Sequence, residues 1–544
     1  MAIKYGSNTV KSSGSIVGGD GQNSGRTLYF YNSSGADWNT LGNWWLDKDH
    51  TIPSPSLPTD EDTAVILSDI TSNSGSFIAD TIIFDSGNLD FSNYSIGEVR
   101  KIILKNTSYI AGYGNLGSES GTKIEIYCYD SSRLYPTNSC CITIYGNLYL
   151  YESSYIDSNN NYLIDIYGDV FVNSVGNSYQ PIYGNSSYAA EIRGNLKVVG
   201  SSSTVTIRSV RVYGTTELFN NVRIEGSSSY PSYFYGPVTL NKSCIINDYI
   251  NFYNDVTLYE SSYIEGDTSV YFYSYSSAAA ASFKNLILTL NTSSYFASSS
   301  YINLYGGTVV LNTDAGGGSS ATINGDEYTT VEFRTNTGNG IGSGGSIYCG
   351  TIKVFNDVSF GANTTPTLSS VIMKKIQFFN NSSLYSNLTV ANGCFVEFYD
   401  DSNITNSCTL TLGDDNTAIA KFFHRSFIDS SCTISNGSHV EMTDYTSNNG
   451  TIGSSFAFLS GWSANEGTIS NDASFNGRSE NNGDISGSAS FGDWSMNTGN
   501  ITGDAVFNDF SKHSTGGSAF NAYYMGPLSP DGGADSSSYY PAWS

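Results

Sequence analysis

Charge is scarce in this chain of 544 residues, and positive charge scarcer still. Asp, Glu, Lys and Arg make up 13%, with 24 basic residues against 49 acidic ones and a net charge of −25. Phosphate contacts need clustered Lys and Arg, so this balance argues against nucleic-acid binding and, equally, against an anionic membrane surface. Long hydrophobic runs are missing too: no stretch of 18 apolar residues occurs, so no membrane insertion is expected. The opening "MAIKYGSNTVKSSGS" has no apolar segment of signal-peptide length, which predicts no N-terminal export signal. The four His (His50, His424, His439, His513) form no HxxxH or HExxH pattern. The eight Cys, at 128, 140, 141, 244, 349, 394, 408 and 432, contain no CxxC. Zinc sites and a disulfide scaffold are therefore not expected. No Walker loop, GxSxG or glycine-rich calcium repeat is found, and no cofactor or metal is expected.

The chain is instead rich in Gly (56), Tyr (41), Ser, Asn and Thr, with 14% aromatic residues. That aromatic content is too high for disorder, and the many helix-breaking residues disfavour a helical protein. Short apolar alternations between turn residues point to an all-β chain.

A pattern of alternating apolar residues, an aromatic and then a turn residue recurs along the sequence. The turn residue falls at Asp85, Asn106, Cys128, Gly146, Gly168, Gly194, Gly214, Gly236, Asn254, Asn285, Gly306, Asn356, Asn380, Asp400, His424 and Asp444. Most steps are 18 to 24 residues; one is 26, one is 31 and one is 50. The last two contain the insertions "SYSSAAAAS", "DAGGGSS" and "TNTGNGIGSGGS". Such a period, with two or three short strands per unit, is the signature of a solenoid whose units bury their apolar faces only by stacking. Gly, Asn and Asp suit corners with positive φ. The residues two and four before each turn residue are mostly Ile, Val or Phe and are expected to face inward.

From Gly450 the period shortens. Units start at Gly450, Gly467, Gly483 and Gly499. Ile452, Ile469, Ile485 and Ile501 sit two residues after these glycines, and Phe458, Phe475, Phe491 and Phe507 sit eight after them. These eight residues are the expected core of a narrower section. Position six is Phe456 and then Ala473, Ala489 and Ala505. The sequence thus predicts a parallel β-solenoid of roughly twenty rungs, a rod on the order of 100 Å at about 4.8 Å per rung. It would run continuously from about Thr63 to Phe510.

Open strand edges invite aggregation and need lids. The stretch from Asp37 to Leu67 holds Trp38, Trp44 and Trp45 with Pro53, Pro55 and Pro58, and is the expected N-terminal cap. The layout read from sequence is residues 1–30 as an attachment segment, 31–62 as cap, 63–445 as solenoid, 446–514 as short-period repeats and 515–544 as tail.

Enzymatic chemistry on such a scaffold would need two carboxylates about 5–9 Å apart, as in glycoside hydrolysis. Asp400 with Asp401, Asp414 with Asp415, and Glu152 with Glu260 of the twin "LYESSYI" units are candidates, although Asp and Glu are common in turns for backbone reasons alone. Outward Tyr side chains either cover the sheet or stack on sugar rings. The insertions near 274–282, 313–321 and 334–346 could project a binding surface. Cys244, Cys408 and Cys432 each lie eight residues after a turn residue, which implies one place on the cross-section. Cys408 and Cys432, in consecutive rungs, are expected to stack as a buried, reduced pair without a catalytic role.

The segment "WNTLGNWW…HTIPSPSLPTDEDTAVI" resembles the opening of β-helical regions in phage, large-virus and bacterial surface proteins. The "NxGxIxGxAxF" pattern near the C-terminus is similar to proteins of tailed phages, cyanophages among them. The resemblance covers about 30 residues at one end and about 60 at the other. It implies a virion fibre, spike or decoration protein made in the host cytoplasm, binding other virion proteins through its N-terminal segment, with host-surface polysaccharide as a candidate second partner. A homo-oligomer would fit such a role, although no heptad coiled coil is visible to enforce one. The alternatives are a tailspike-like depolymerase, and an adhesin or sheath protein on an extracellular surface.

Overall fold

The computed structural model describes residues 25–525 apart from short internal stretches, of which 274–286 and 335–345 are the longest. The chain winds as a parallel β-solenoid, with no α-helix among the described residues. Each turn lays down three short strands in chain order, so the rod has three faces. In one turn these are Gly146–Tyr151 on face 1, Tyr155–Asp157 on face 2 and Ile164–Ile166 on face 3. The next turn adds Val170–Asn173, Tyr179–Tyr183 and Ala190–Ile192, each paired in parallel with its predecessor. Pairing on face 1 is unbroken from Thr27–Phe30 to Ser518–Met525. The stack therefore begins and ends outside the span expected from sequence. Its first strand precedes the cap, and its last lies in residues assigned to a tail.

Burial alternates along these strands because successive side chains point to opposite sides. In Ile142–Ile144 and Ile164–Ile166 both Ile residues are buried and the central residue is not. In-register stacking places like side chains one above another. Phe378, Phe398 and Phe422 stack with ring centroids 4.7 and 4.6 Å apart.

The recurring turn residue occupies two different corners. At Gly146, Gly168, Gly194, Gly214 and Gly236 it leads from face 3 into face 1. At Asn356, Asn380, Asp400, His424 and Asp444 it leads from face 1 into face 2. The chemistry differs accordingly. The second group has φ between 48° and 59°, the left-handed conformation that Asn and Asp tolerate best. The first group does not have positive φ; there the turns approach too closely for a Cβ. A Cβ on Gly146 would lie 1.8 Å from the Ile124 carbonyl oxygen, and one on Gly236 would lie 2.1 Å from that of Gly214. The 50-residue interval from Gly306 to Asn356 contains a change of corner; face 1 continues through it at Thr330–Phe333 and Thr351–Val354.

A serine two residues after the left-handed position of the second corner clips successive turns together. Ser402, Ser426, Ser479 and Ser495 are fully buried. Their hydroxyls donate to the carbonyls of Phe378, Phe398, Leu459 and Phe475 at 3.2–3.3 Å.

The short-period section continues the same stack, since Phe456–Leu459 pairs in parallel with His439–Met442. Ile452, Ile469, Ile485, Ile501, Phe475, Phe491 and Phe507 are all buried. Phe458 is not part of this core. It pairs with Ser474 and points outward, and Leu459 stacks on Phe475 in its place. The first unit is one residue longer than those that follow, and a one-residue shift in a strand exchanges its two faces. For the same reason Ala457, not Phe456, heads the Ala473–Ala489–Ala505 column.

At the N-terminal end, Trp44–Trp45 pairs antiparallel with Thr27–Phe30, occupying the edge on which another parallel turn would add. Trp38 and Trp44 are buried, whereas Trp45, the next residue along the strand, is only half-buried. Asp62 fastens this end. Its carboxylate accepts from the Arg26 amide (2.8 Å) and guanidinium (2.8 Å) and from the Thr59 amide and hydroxyl (both 2.9 Å). Burial alone would raise its pKa, but these bonds outweigh it and hold the carboxyl at about 2. A carboxyl depressed from its ordinary value stabilises fully above about pH 4 and loses that contribution as pH falls to about 2, here roughly 2 kcal/mol. Asp62→Asn should remove this part of the acid sensitivity. Melting curves at pH 6 and pH 2.5 should converge in the variant relative to wild type, and an unchanged gap would show that Asp62 does not set it.

Candidate functional site

Three of the four most exposed aromatics among the described residues, Tyr445, Trp462 and Trp494, lie on the corner between faces 1 and 2 in the C-terminal third. In each turn of this corner a left-handed residue (Gly461, Gly477, Asp493 or Asp509) is followed by one outward side chain and then a serine. The left-handed step turns the chain and the serine anchors it, so the residue between them projects from the rod edge. The column formed this way is Trp462, Arg478, Trp494 and Phe510, one per turn, and Tyr445, between Asp444 and Thr446, heads it in the turn before. Tyr445 and Trp462 are parallel at 6.0 Å, and the Arg478 guanidinium lies 4.6 Å from the Trp462 ring. Trp494 stacks on Phe510 at 4.7 Å. Trp462 and Trp494 remain 49% and 59% exposed, high values for tryptophan.

Beside this column, face 2 presents Glu480, Met496 and Lys512 in register in successive turns. The two columns bound a groove of about 300 Å³ from Trp462 to Phe510. Its walls offer aromatic surface, a carboxylate acceptor and cationic donors. Among its lining residues Glu480 is the one carboxylate.

The carboxylates singled out from sequence lie elsewhere. Asp400 and Asp401 are consecutive left-handed corner residues (φ 48° and 63°), and Asp401 is 2.7 Å from the Arg425 guanidinium. Glu152, with φ 58°, accepts from the Asp130 amide of the preceding turn at 2.8 Å, a turn-to-turn clip. Glu260 follows the face 1 strand Val256–Leu258, five turns beyond that of Glu152. At about 4.8 Å per turn the two are on the order of 24 Å apart, too far to act together. Asp414 and Asp415 lie outside the described residues, as do most of the three insertions. No group of three or more His, Cys, Asp or Glu able to hold a metal occurs among the described residues.

A second outward column runs along face 3: Tyr145, Tyr167, Arg193, Tyr213, Tyr235 and Tyr253, in consecutive turns. Tyr213–Tyr235 and Tyr235–Tyr253 stack at 4.8 and 5.0 Å, and Arg193 lies between Tyr167 and Tyr213 at 5.6 and 4.7 Å. The signal for the first column was present in the sequence as "GWS", "GRS", "DWS" and "DFS" at matching offsets. It is overshadowed there by the stronger recurrence of the inward Ile and Phe in the same repeats.

Comparison with known protein families, curated proteins and solved structures finds no match.

Cys408 and Cys432 are buried free thiols immediately before paired strands of consecutive turns, and burial pushes the Cys408 thiol up to about 12. Cys244 is not in their place. It precedes a strand of face 2 and they precede strands of face 3, because the turn residue used to align them changes corner. Cys141, by contrast, is exposed. Iodoacetamide should therefore label Cys141 in the native protein and reach Cys408 and Cys432 only after denaturation. Peptide mass spectrometry showing native labelling of either buried thiol would contradict this arrangement.

Proposed function

We propose that the chain is a rigid adhesive rod that binds surface glycans through its corner groove, in the manner of a virion fibre or spike. The observation that carries this reading is the exposed Trp462–Arg478–Trp494–Phe510 column beside a groove, on a solenoid whose turns are continuously hydrogen-bonded. Aromatic faces and edges match the apolar patches of sugar rings, while Arg478, Glu480 and Lys512 supply donors and acceptors for hydroxyls. A stiff rod holds such a site at a fixed distance from whatever anchors its other end. The resemblance of the N-terminal cap and the C-terminal repeats to phage and large-virus surface proteins supports the virion setting, with the residues before the first strand, Thr27–Phe30, as the attachment segment and a homo-oligomer as the assembled form. A glycan array probed with the purified protein tests the adhesive part: specific binding is expected, reduced at least tenfold by the double variant Trp462→Ala/Trp494→Ala. Absence of binding to any glycan would reject it. Antibody labelling of purified particles tests the virion part, and particles without the antigen would reject that.

A further inference from the structure

We infer that the corner groove takes an uncharged, extended glycan laid parallel to the rod axis at about one sugar per turn. This deepens the adhesive reading and rests on it.

The first argument is commensurability. Trp462, Arg478, Trp494 and Phe510 occupy four successive turns, and the strands around them pair in strict 16-residue register. Adjacent turns are about 4.8 Å apart. An extended chain of pyranose units advances by a similar length per sugar, so successive sugars meet successive corner side chains. A chain laid across the rod would meet one aromatic and then open surface.

The second argument is charge. Around the column, Asp444, Asp493 and Asp509 stand immediately before Tyr445, Trp494 and Phe510, and the whole chain carries −25. A polyanion would bring its own charges against these carboxylates. Arg478 and Lys512 balance them only in part, with Glu480 also in the groove. A polycation would in turn face Arg478, which already covers the Trp462 ring. Hydroxyls both donate and accept, so a neutral sugar chain satisfies Arg478, Glu480 and Lys512 together without bringing charge.

The third argument is pre-organisation. Trp494 is held against Phe510, and Arg478 is laid on Trp462. Little side-chain freedom then remains to be lost on binding.

The expectation is a length dependence that saturates. Calorimetry should use neutral cello- and manno-oligosaccharides of one to six units, with oligogalacturonates as charged counterparts. Affinity for the neutral series should rise up to about four units and then level. Trp494→Ala, at an exposed site that leaves the core intact, should cost roughly tenfold and flatten the dependence, while circular dichroism stays unchanged. The oligogalacturonates should bind at least tenfold more weakly at low salt. Length-independent binding, tighter binding of the charged series, or no neutral binding by a protein that still recognises other glycans on the array would overturn the inference and leave the adhesive reading standing. Silence on the whole array would overturn both.

Discussion

Replacing Trp44 by Ala is expected to destabilise the first turns of the rod by about 3–5 kcal/mol, the range for removing a large aromatic from a packed core. Trp44 has no exposed surface. Its ring meets Phe30 at 5.2 Å and Trp38 at 4.7 Å, both edge-on, and Trp38 in turn meets Phe77 at 4.9 Å. The indole nitrogen donates to the Trp38 carbonyl at 2.8 Å. Truncation therefore leaves a cavity and an unpaired buried carbonyl together. The loss should be local, because a solenoid couples each turn mainly to its neighbours. Hydrogen exchange should accelerate in Thr27–Phe30 and Thr63–Ile66 and remain slow near Phe422. With the antiparallel lid loosened, the freed edge should also promote association. Trp45→Ala, at the half-buried neighbour, should cost clearly less. Equal effects at the two positions would show that the lid is not organised around Trp44.

A comparable loss, on the order of 4 kcal/mol, is expected for Asn481→Ala, from orphaned polar groups rather than lost apolar contact. Asn448, Asn465, Asn481 and Asn497 are fully buried and stacked in consecutive turns. Each amide nitrogen donates to the carbonyl oxygen of the next at 2.6–2.7 Å. Asn497 donates to Nδ1 of His513 at 2.9 Å, so the column ends on a histidine whose pKa burial lowers. Removing Asn481 deprives the Asn465 amide of its acceptor and the Asn497 oxygen of its donor, out of reach of water. The adjacent Asn482 projects from the surface, and Asn482→Ala should change stability by no more than about 0.5 kcal/mol. Chemical denaturation of the two variants separates the cases, and a difference below 1 kcal/mol would mean that the column adds little.

The Asn column and the aromatic corner were both written in the sequence as fixed offsets: Asn465, Asn481 and Asn497 recur as regularly as Ile469, Ile485 and Ile501. Apolar periodicity has a direct reading, because burial favours it. A recurring Asn reads equally well as a turn residue, and only its place inside the cross-section shows that it must be paired. The same ambiguity affected the turn residues. Gly146 and Asp400 looked like one class, yet one is required by crowding against Ile124 and the other by positive φ.

The sequence by itself determined the class of fold, the repeat and most inward positions, because alternation with period two and recurrence near twenty residues follow from burial and stacking alone. Tertiary structure decided what depends on register between turns. A single extra residue turned Phe458 outward. A change of corner separated Cys244 from Cys408 and Cys432, and five intervening turns separated Glu152 from Glu260. The groove belongs to the same category: Trp462 and Trp494 are thirty-two residues apart in the chain and share one edge of the rod only because two turns of strict 16-residue pairing lie between them.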